Sequence, residues 1–197
     1  MRVVLASRNE GKLKELKPIL APLGLTLESQ AAHNVPSPEE TGTTFVENAI
    51  IKARTVAHAT SLPSLADDSG IVVPGLDGAP GVYSARYAGP GATDADNNQK
   101  LIAAIAEFVE PVVAFYYCAI VYMRSAADPS PLIATAAWHG QLIQTPRGHY
   151  GFGYDPYFIP DGYSVTSAEL DPDVKNRISH RALACQDLIT ELRSHAG

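Results

Sequence analysis

Val3-Val4-Leu5-Ala6-Ser7-Arg8-Asn9-Glu10-Gly11-Lys12, followed by Leu13, Leu16, Ile19, Leu20 and Leu23, is the stretch on which the fold turns. Val3 to Ala6 is an unbroken apolar run, the pattern of a short strand buried on both faces. The spacing then becomes helical, with Asn9 placed to cap the first turn and Gly24 placed to stop the helix. A strand feeding straight into an amphipathic helix predicts an α/β protein.

Outward from there, Leu25 to Glu28 is the next strand candidate, and residues 29–43, with Pro36, Pro38 and Gly42, read as irregular loop. A second helix is predicted from about Thr44 to Ser61. Its apolar stripe of Phe45, Ala49, Ile50, Ala53, Val56 and Ala57 leaves Asn48 and Lys52 together on another face. Ser64 to Ala66 and Ile71 to Val73 are short strand candidates, with Asp67-Asp68-Ser69-Gly70 as a turn between them. Gly75, Gly78, Pro80, Gly81, Gly89, Pro90 and Gly91 predict a long loop, and Asp94 to Phe108 a third helix. Val112 to Tyr122 and Leu132 to Ile143 form a hairpin about Asp128-Pro129-Ser130-Pro131, and a last helix spans about Ser179 to Ser194, capped by Ser179. Helix-linked strands together with a hairpin require a mixed β-sheet with flanking helices.

A chain of 197 residues suits a single domain over 1–197, or at most two small lobes. Its net charge of −6 argues against nucleic acid as a partner. The only two cysteines, Cys118 and Cys185, form neither a disulfide framework nor a zinc-ligand spacing. The apolar run at the start is too short for a signal peptide, and Val112 to Met123 is too short to span a bilayer. A cytoplasmic protein without membrane contact is the expectation.

Five constellations bear chemistry. Ser7-Arg8-Asn9-Glu10-Gly11-Lys12 joins a strand to a helix start, where amides and a lysine attract phosphate; taken alone, it reads more readily as an ordinary capped helix with a surface lysine. Glu39-Glu40 and Asp67-Asp68 gather hard carboxylate oxygens suited to magnesium or manganese, although Asp-Asp-Ser-Gly is also good turn chemistry. Lys52 can reach a phosphate or stay solvated. In Gly151-Phe152-Gly153-Tyr154-Asp155-Pro156 the glycines admit close backbone approach and an aromatic ring can stack on a base, or the loop simply anchors itself in the core. Lys175 and Ser179-His180-Arg181 place donors around a helix start, fit to grip anionic oxygens or purine carbonyls. Gly-x-Ser-x-Gly and His-Glu-x-x-His are both absent, which removes the common serine-hydrolase and zinc-protease readings.

In this order, the segments resemble the inosine triphosphate pyrophosphatase family, hydrolases that clear non-standard purine nucleoside triphosphates. The resemblance rests on Ser7-x-Asn9-x-x-Lys12, Glu39-Glu40-Thr41-Gly42-Thr43-Thr44-Phe45-x-Glu47-Asn48-Ala49 with Lys52-Ala53, and Ala66-Asp67-Asp68-Ser69-Gly70. It continues through Gly78-Ala79-Pro80-Gly81-Val82-Tyr83-Ser84-Ala85-Arg86-Tyr87, Gly151 to Pro156 and Ile178-Ser179-His180-Arg181. Each motif is weak alone; together, in register from Val3 to about Leu192, they are specific.

The resemblance implies two lobes about a long mixed sheet, a nucleotide cleft between them, and a homodimer. It implies Mg²⁺ and cleavage between the α and β phosphates, giving a nucleoside monophosphate and pyrophosphate from ITP, dITP or XTP. By position it makes Asp68 the general base and a metal ligand, with Glu40 the second ligand and Glu39 the fallback. Ser7, Arg8, Asn9, Glu10, Gly11, Lys12 and Lys52 hold phosphates, with Ser69 beside them. Phe152 stacks on the purine, while Gly153, Tyr154, Asp155, Lys175, His180 and Arg181 line the base and its phosphates. A pyrophosphatase for modified pyrimidine triphosphates and a non-catalytic nucleotide sensor are the rival readings.

Overall fold

The computed structural model describes residues 1–194. In chain order its strands are β1 (Arg2–Leu5), β2 (Thr26–Ser29), β3 (Ser64–Val72), β4 (Val112–Met123), β5 (Leu132–Leu142) and β6 (Phe158–Pro160). The helices are α1 (Glu10–Leu20), α2 (Phe45–Thr60), α3 (Asp94–Ala104), α4 (Pro172–Ile178) and α5 (His180–Ser194). The strands form one sheet in the order β2-β1-β3-β4-β5-β6. It is mixed: β1 runs parallel to β2 and β3, whereas β5 and β6 are antiparallel. This is the α/β class the sequence predicts.

The chain divides into two compact units. Among the described residues, one comprises 1–68, 118–136 and 181–194; the other comprises 69–117 and 137–180. In the first, Val3, Leu5, Leu16, Leu20, Leu65, Ile120 and Leu188 are buried together, so α1 and α5 present their apolar faces to β1, β3 and β4. In the second, Ile71, Leu101, Ile105, Tyr116, Trp138, Leu142 and Phe158 form a separate core. Among the described residues no helix is long and apolar enough to cross a membrane.

Capping accounts for the helix starts. The Asn9 side chain accepts from the Gly11 and Lys12 amides, and Thr44 forms a reciprocal capping box with Glu47 that opens α2. Gly24, at φ 67°, closes the short 3₁₀ turn that follows α1.

Three expectations fail. Asp67-Asp68-Ser69-Gly70 is no turn but the middle of the nine-residue strand β3. Buried cations compensate the aspartates there and override their turn preference. Asn48 and Lys52 are buried with Ala49, Ala53, Val56 and Ala57 on the inner side of α2, rather than on a face of their own. Each side chain has a polar partner inside, which is what permits burial. Helix α3 stops at Ala104, four residues short of Phe108. The loop after β3 holds two 3₁₀ turns, Pro74–Leu76 and Gly81–Arg86, and Ser179 stands between the unforeseen α4 and α5.

Candidate active site

Consecutive residues on a strand project to opposite faces, so Asp67 and Asp68 serve different neighbours. Both are buried. Asp68 Oδ1 accepts from Lys52 Nζ at 2.5 Å, and the same ammonium donates to Glu40 Oε1 at 3.1 Å and to the Asp67 carbonyl at 2.9 Å. The other oxygen, Asp68 Oδ2, is buried and has no hydrogen-bond partner among the described residues. Burial pushes the Asp68 carboxyl above the ordinary carboxylate range, against the pull of Lys52. Burial also disfavours charge on Lys52, but Asp68 and Glu40 outweigh it and hold the lysine protonated.

Asp67 is enclosed by donors from three other elements. Lys12 of α1 pairs with Oδ1, Arg181 Nε of α5 lies 3.0 Å from Oδ2, and the Cys118 thiol of β4 donates to Oδ2 at 3.0 Å. Arg181 also pairs with Glu15 of α1. Burial opposes ionisation of Asp67, yet Arg181 and Lys12 prevail and hold its carboxyl well below the usual range. This first-unit cluster thus sets three cations against four carboxylates. It remains attractive to a further cation.

The residues fit a hard divalent ion. The orphan Asp68 oxygen and the Glu40 carboxylate are oxygen donors, the set that favours Mg²⁺ or Mn²⁺ over zinc. Among the described residues no three His, Cys, Asp or Glu side chains gather as a closed metal site. Glu39 is exposed, whereas Glu40 reaches Lys52.

Around the β1–α1 junction, Asn9 N–H donates to Ser7 Oγ at 3.1 Å and Arg8 donates to the Val35 carbonyl at 3.2 Å. Glu10 is exposed and Gly11 half-buried in the first turn. Lys12 is the residue of this loop that joins the buried carboxylates. Ser69, half-buried on β3, follows Asp68 directly.

In the second unit the glycine-rich loop is organised by Asp155, which is buried. Its carboxylate accepts from the Phe152 amide at 2.9 Å, Ser167 Oγ at 3.0 Å, Tyr116 OH at 3.3 Å and Lys175 Nζ at 2.5 Å. Gly151, at φ 77°, must be glycine, since a Cβ there would stand 2.0 Å from Asp155 Oδ2. Gly153 N–H donates to Asp94 Oδ2 at 2.7 Å, and Tyr154 OH donates to the Ser84 carbonyl at 2.7 Å. These bonds leave Phe152 at the surface, 36% exposed, with the Lys175 ammonium 5.2 Å from its ring centre. His180 is buried and lies parallel to the Tyr116 ring, with centroids 4.8 Å apart and planes 8° apart.

The predicted residues therefore fall into two clusters. Lys12, Glu40, Lys52, Asp68 and Arg181 lie in the first unit, with Ser7 to Gly11 leading into it. Phe152, Gly153, Tyr154, Asp155, Lys175 and His180 lie in the second. Sequence reasoning named Asp67 in the doubled aspartate but gave it no role of its own, and it missed Glu15, Cys118, Tyr116 and Ser167 as partners, which nothing in local spacing marks.

Known proteins resemble this chain over nearly its whole length. The Ham1 family matches residues 3–191. A dITP/XTP pyrophosphatase of Shewanella oneidensis is 48% identical over 192 residues, covering 98% of this chain and 94% of that protein. The corresponding protein of Thioalkalivibrio sulfidiphilus is 49% identical over 195 residues, covering 98% and 99%. The structure of a HAM1 protein from Coxiella burnetii superposes with a TM-score of 0.91 at 48% identity, covering 98% of this chain and 99% of that one. With this extent of sequence and structural likeness, the chain belongs to the Ham1 family.

Proposed function

We propose that this protein is a nucleoside triphosphate pyrophosphohydrolase acting on non-standard purine nucleotides (ITP, dITP and XTP), releasing the nucleoside monophosphate and pyrophosphate. The observation that carries the reading is Asp68: a buried carboxylate with one oxygen held by Lys52 and the other without a hydrogen-bond partner among the described residues, with Glu40 sharing the same lysine. Named relatives nearly half identical along almost the whole chain supply the substrate class.

Lys12 and Lys52, with the junction from Ser7 to Gly11 and Ser69 beside them, receive the triphosphate and offset its charge. Glu40 and Asp68 would hold Mg²⁺, which when bound neutralises charge on phosphate oxygens. Asp68 orients a water and takes its proton as the water oxygen bonds to phosphorus and the α–β bridging bond breaks. The leaving pyrophosphate carries away the bridging oxygen. At the second-unit cluster Phe152 stacks on the purine, and Lys175 and His180 supply donors that suit a 6-oxo group better than the 6-amino group of adenine; Arg181, in the first unit, pairs with Asp67. Gly153, Tyr154 and Asp155 hold that loop in shape. The proposal extends to a cytoplasmic homodimer, the assembly being open to test by light scattering.

The test is steady-state kcat/KM for ITP, dITP and XTP beside ATP, GTP, dTTP and modified pyrimidine triphosphates, with Mg²⁺. Preference for ITP, dITP and XTP over both ATP and GTP supports the reading. Preference for pyrimidines transfers it to that sibling activity, and tight binding without turnover of any nucleotide transfers it to a sensor.

A further inference from the structure

Tyr116 has no place in the reading above, yet it touches two parts of the base-binding cluster. It is a buried residue of β4 whose ring packs face to face on His180 at 4.8 Å, with Phe158 edge-on at 4.9 Å and Trp138 stacked at 6.3 Å. Trp138 is itself 6.3 Å from His180 at 20°. The imidazole thus lies against an aromatic wall that fixes its plane, and both ring nitrogens point only within that plane. At its other end the Tyr116 hydroxyl donates to Asp155 Oδ1 at 3.3 Å, the carboxylate that also takes the Phe152 amide and the Lys175 ammonium. Burial, reinforced by Asp155, raises the tyrosine pKa well above its ordinary value and keeps the hydroxyl a donor.

We infer that Tyr116 is a positioning residue for base selectivity, holding the His180 ring in the plane from which it addresses the 6-position of the purine. The inference rests on the proposed purine-binding role of His180. Selectivity between oxo and amino groups depends on a donor aimed to within a few tenths of an ångström, so loosening the ring weakens discrimination without removing the donor.

The experiment compares kcat/KM for ITP over ATP in the native protein, Tyr116→Leu, Tyr116→Phe, His180→Gln and the Tyr116→Leu/His180→Gln double variant. Circular dichroism confirms folding, and Tyr116→Met, whose flexible unbranched side chain fills irregular gaps, replaces Tyr116→Leu should the latter not fold. Tyr116→Leu is expected to lower the ratio at least tenfold, chiefly through KM for ITP, and to move the His180 Hε1 resonance downfield as ring-current shielding is lost. Tyr116→Phe, which keeps the ring, is expected to restore the ratio to within threefold of native. The double variant is expected to be no less selective than His180→Gln alone. An unchanged ratio in folded Tyr116→Leu, or a further loss in the double variant, overturns the inference alone. A native protein that turns over no nucleoside triphosphate overturns the proposed function and this inference with it.

Discussion

Lys52 sets its ammonium 2.5 Å from one oxygen of Asp68 and leaves the other oxygen buried, without a hydrogen-bond partner among the described residues. A buried carboxylate ordinarily has both oxygens satisfied, because an unpaired one forfeits its hydration for nothing. This half-satisfied state has a chemical use. The lysine holds the carboxylate's orientation, and the open oxygen is available to a water or a metal ion.

Asp68→Asn preserves the shape of the site and removes the proton acceptor. Turnover of ITP is expected to fall about a hundredfold to ten-thousandfold, with nucleotide binding largely kept. Single-turnover kinetics beside equilibrium binding measure both. Near-native turnover in the variant would remove Asp68 from the chemistry.

Cation binding at Glu40 and Asp68 is expected to stabilise the fold. At ten times its Kd, Mg²⁺ would add about 1.4 kcal/mol, a rise in Tm of about 3–6 °C for a chain of this size. Glu40→Gln should shrink that rise, whereas Glu39→Gln should leave it intact, because Glu39 is exposed and Glu40 reaches Lys52. Thermal melts with and without Mg²⁺ decide between the two glutamates.

Asp67→Asn removes the anion between Lys12 and Arg181 and leaves the buried Arg181 and the half-buried Lys12 undercompensated. Losing one partner of such a pair costs about 3–5 kcal/mol. Urea unfolding should show the destabilisation, and KM for the triphosphate should rise as Lys12 loses its fixed position. A variant as stable as the native chain would mean that Asp67 is not ionised.

The β4–β5 connection carries a pH signature far from the site. Asp128 accepts from the Arg124 and Ser130 amides and from the Arg124 guanidinium. Hydrogen bonding to Arg124 outweighs burial and holds its carboxyl far below the ordinary range. The folded pKa therefore lies below the unfolded value of about 3.9, so this stabilisation is complete above about pH 5 and is lost as pH falls below about 4. Asp128→Asn should cost about 1.5–3 kcal/mol at neutral pH, and the gap to the native chain should narrow on acidification. A gap that stays constant from pH 7 to pH 3 would contradict this assignment.

The legible parts of the fold were those written in local patterns. The apolar run at Val3 to Ala6, the Asn9 cap, the start of the second helix near Thr44 and the two long strands of the hairpin all stand where local pattern put them. Asp67-Asp68 misled because turn preference is local, while what holds two aspartates inside β3 comes from Lys12, Lys52 and Arg181, as many as 114 residues away. Lys52 misled for the same reason, since a lysine is placed outside a helix's apolar stripe until the carboxylates that neutralise it are known. The catalytic candidates themselves were readable as ordered motifs. Tyr116 was not, because nothing distinguishes it from any other apolar-strand tyrosine until His180 is seen against its ring.

The most direct measurement is the phosphorus NMR spectrum of the products formed from ITP and Mg²⁺. The account predicts inosine monophosphate and pyrophosphate in equal amounts. Orthophosphate with inosine diphosphate would place the attack at the terminal phosphate and contradict it.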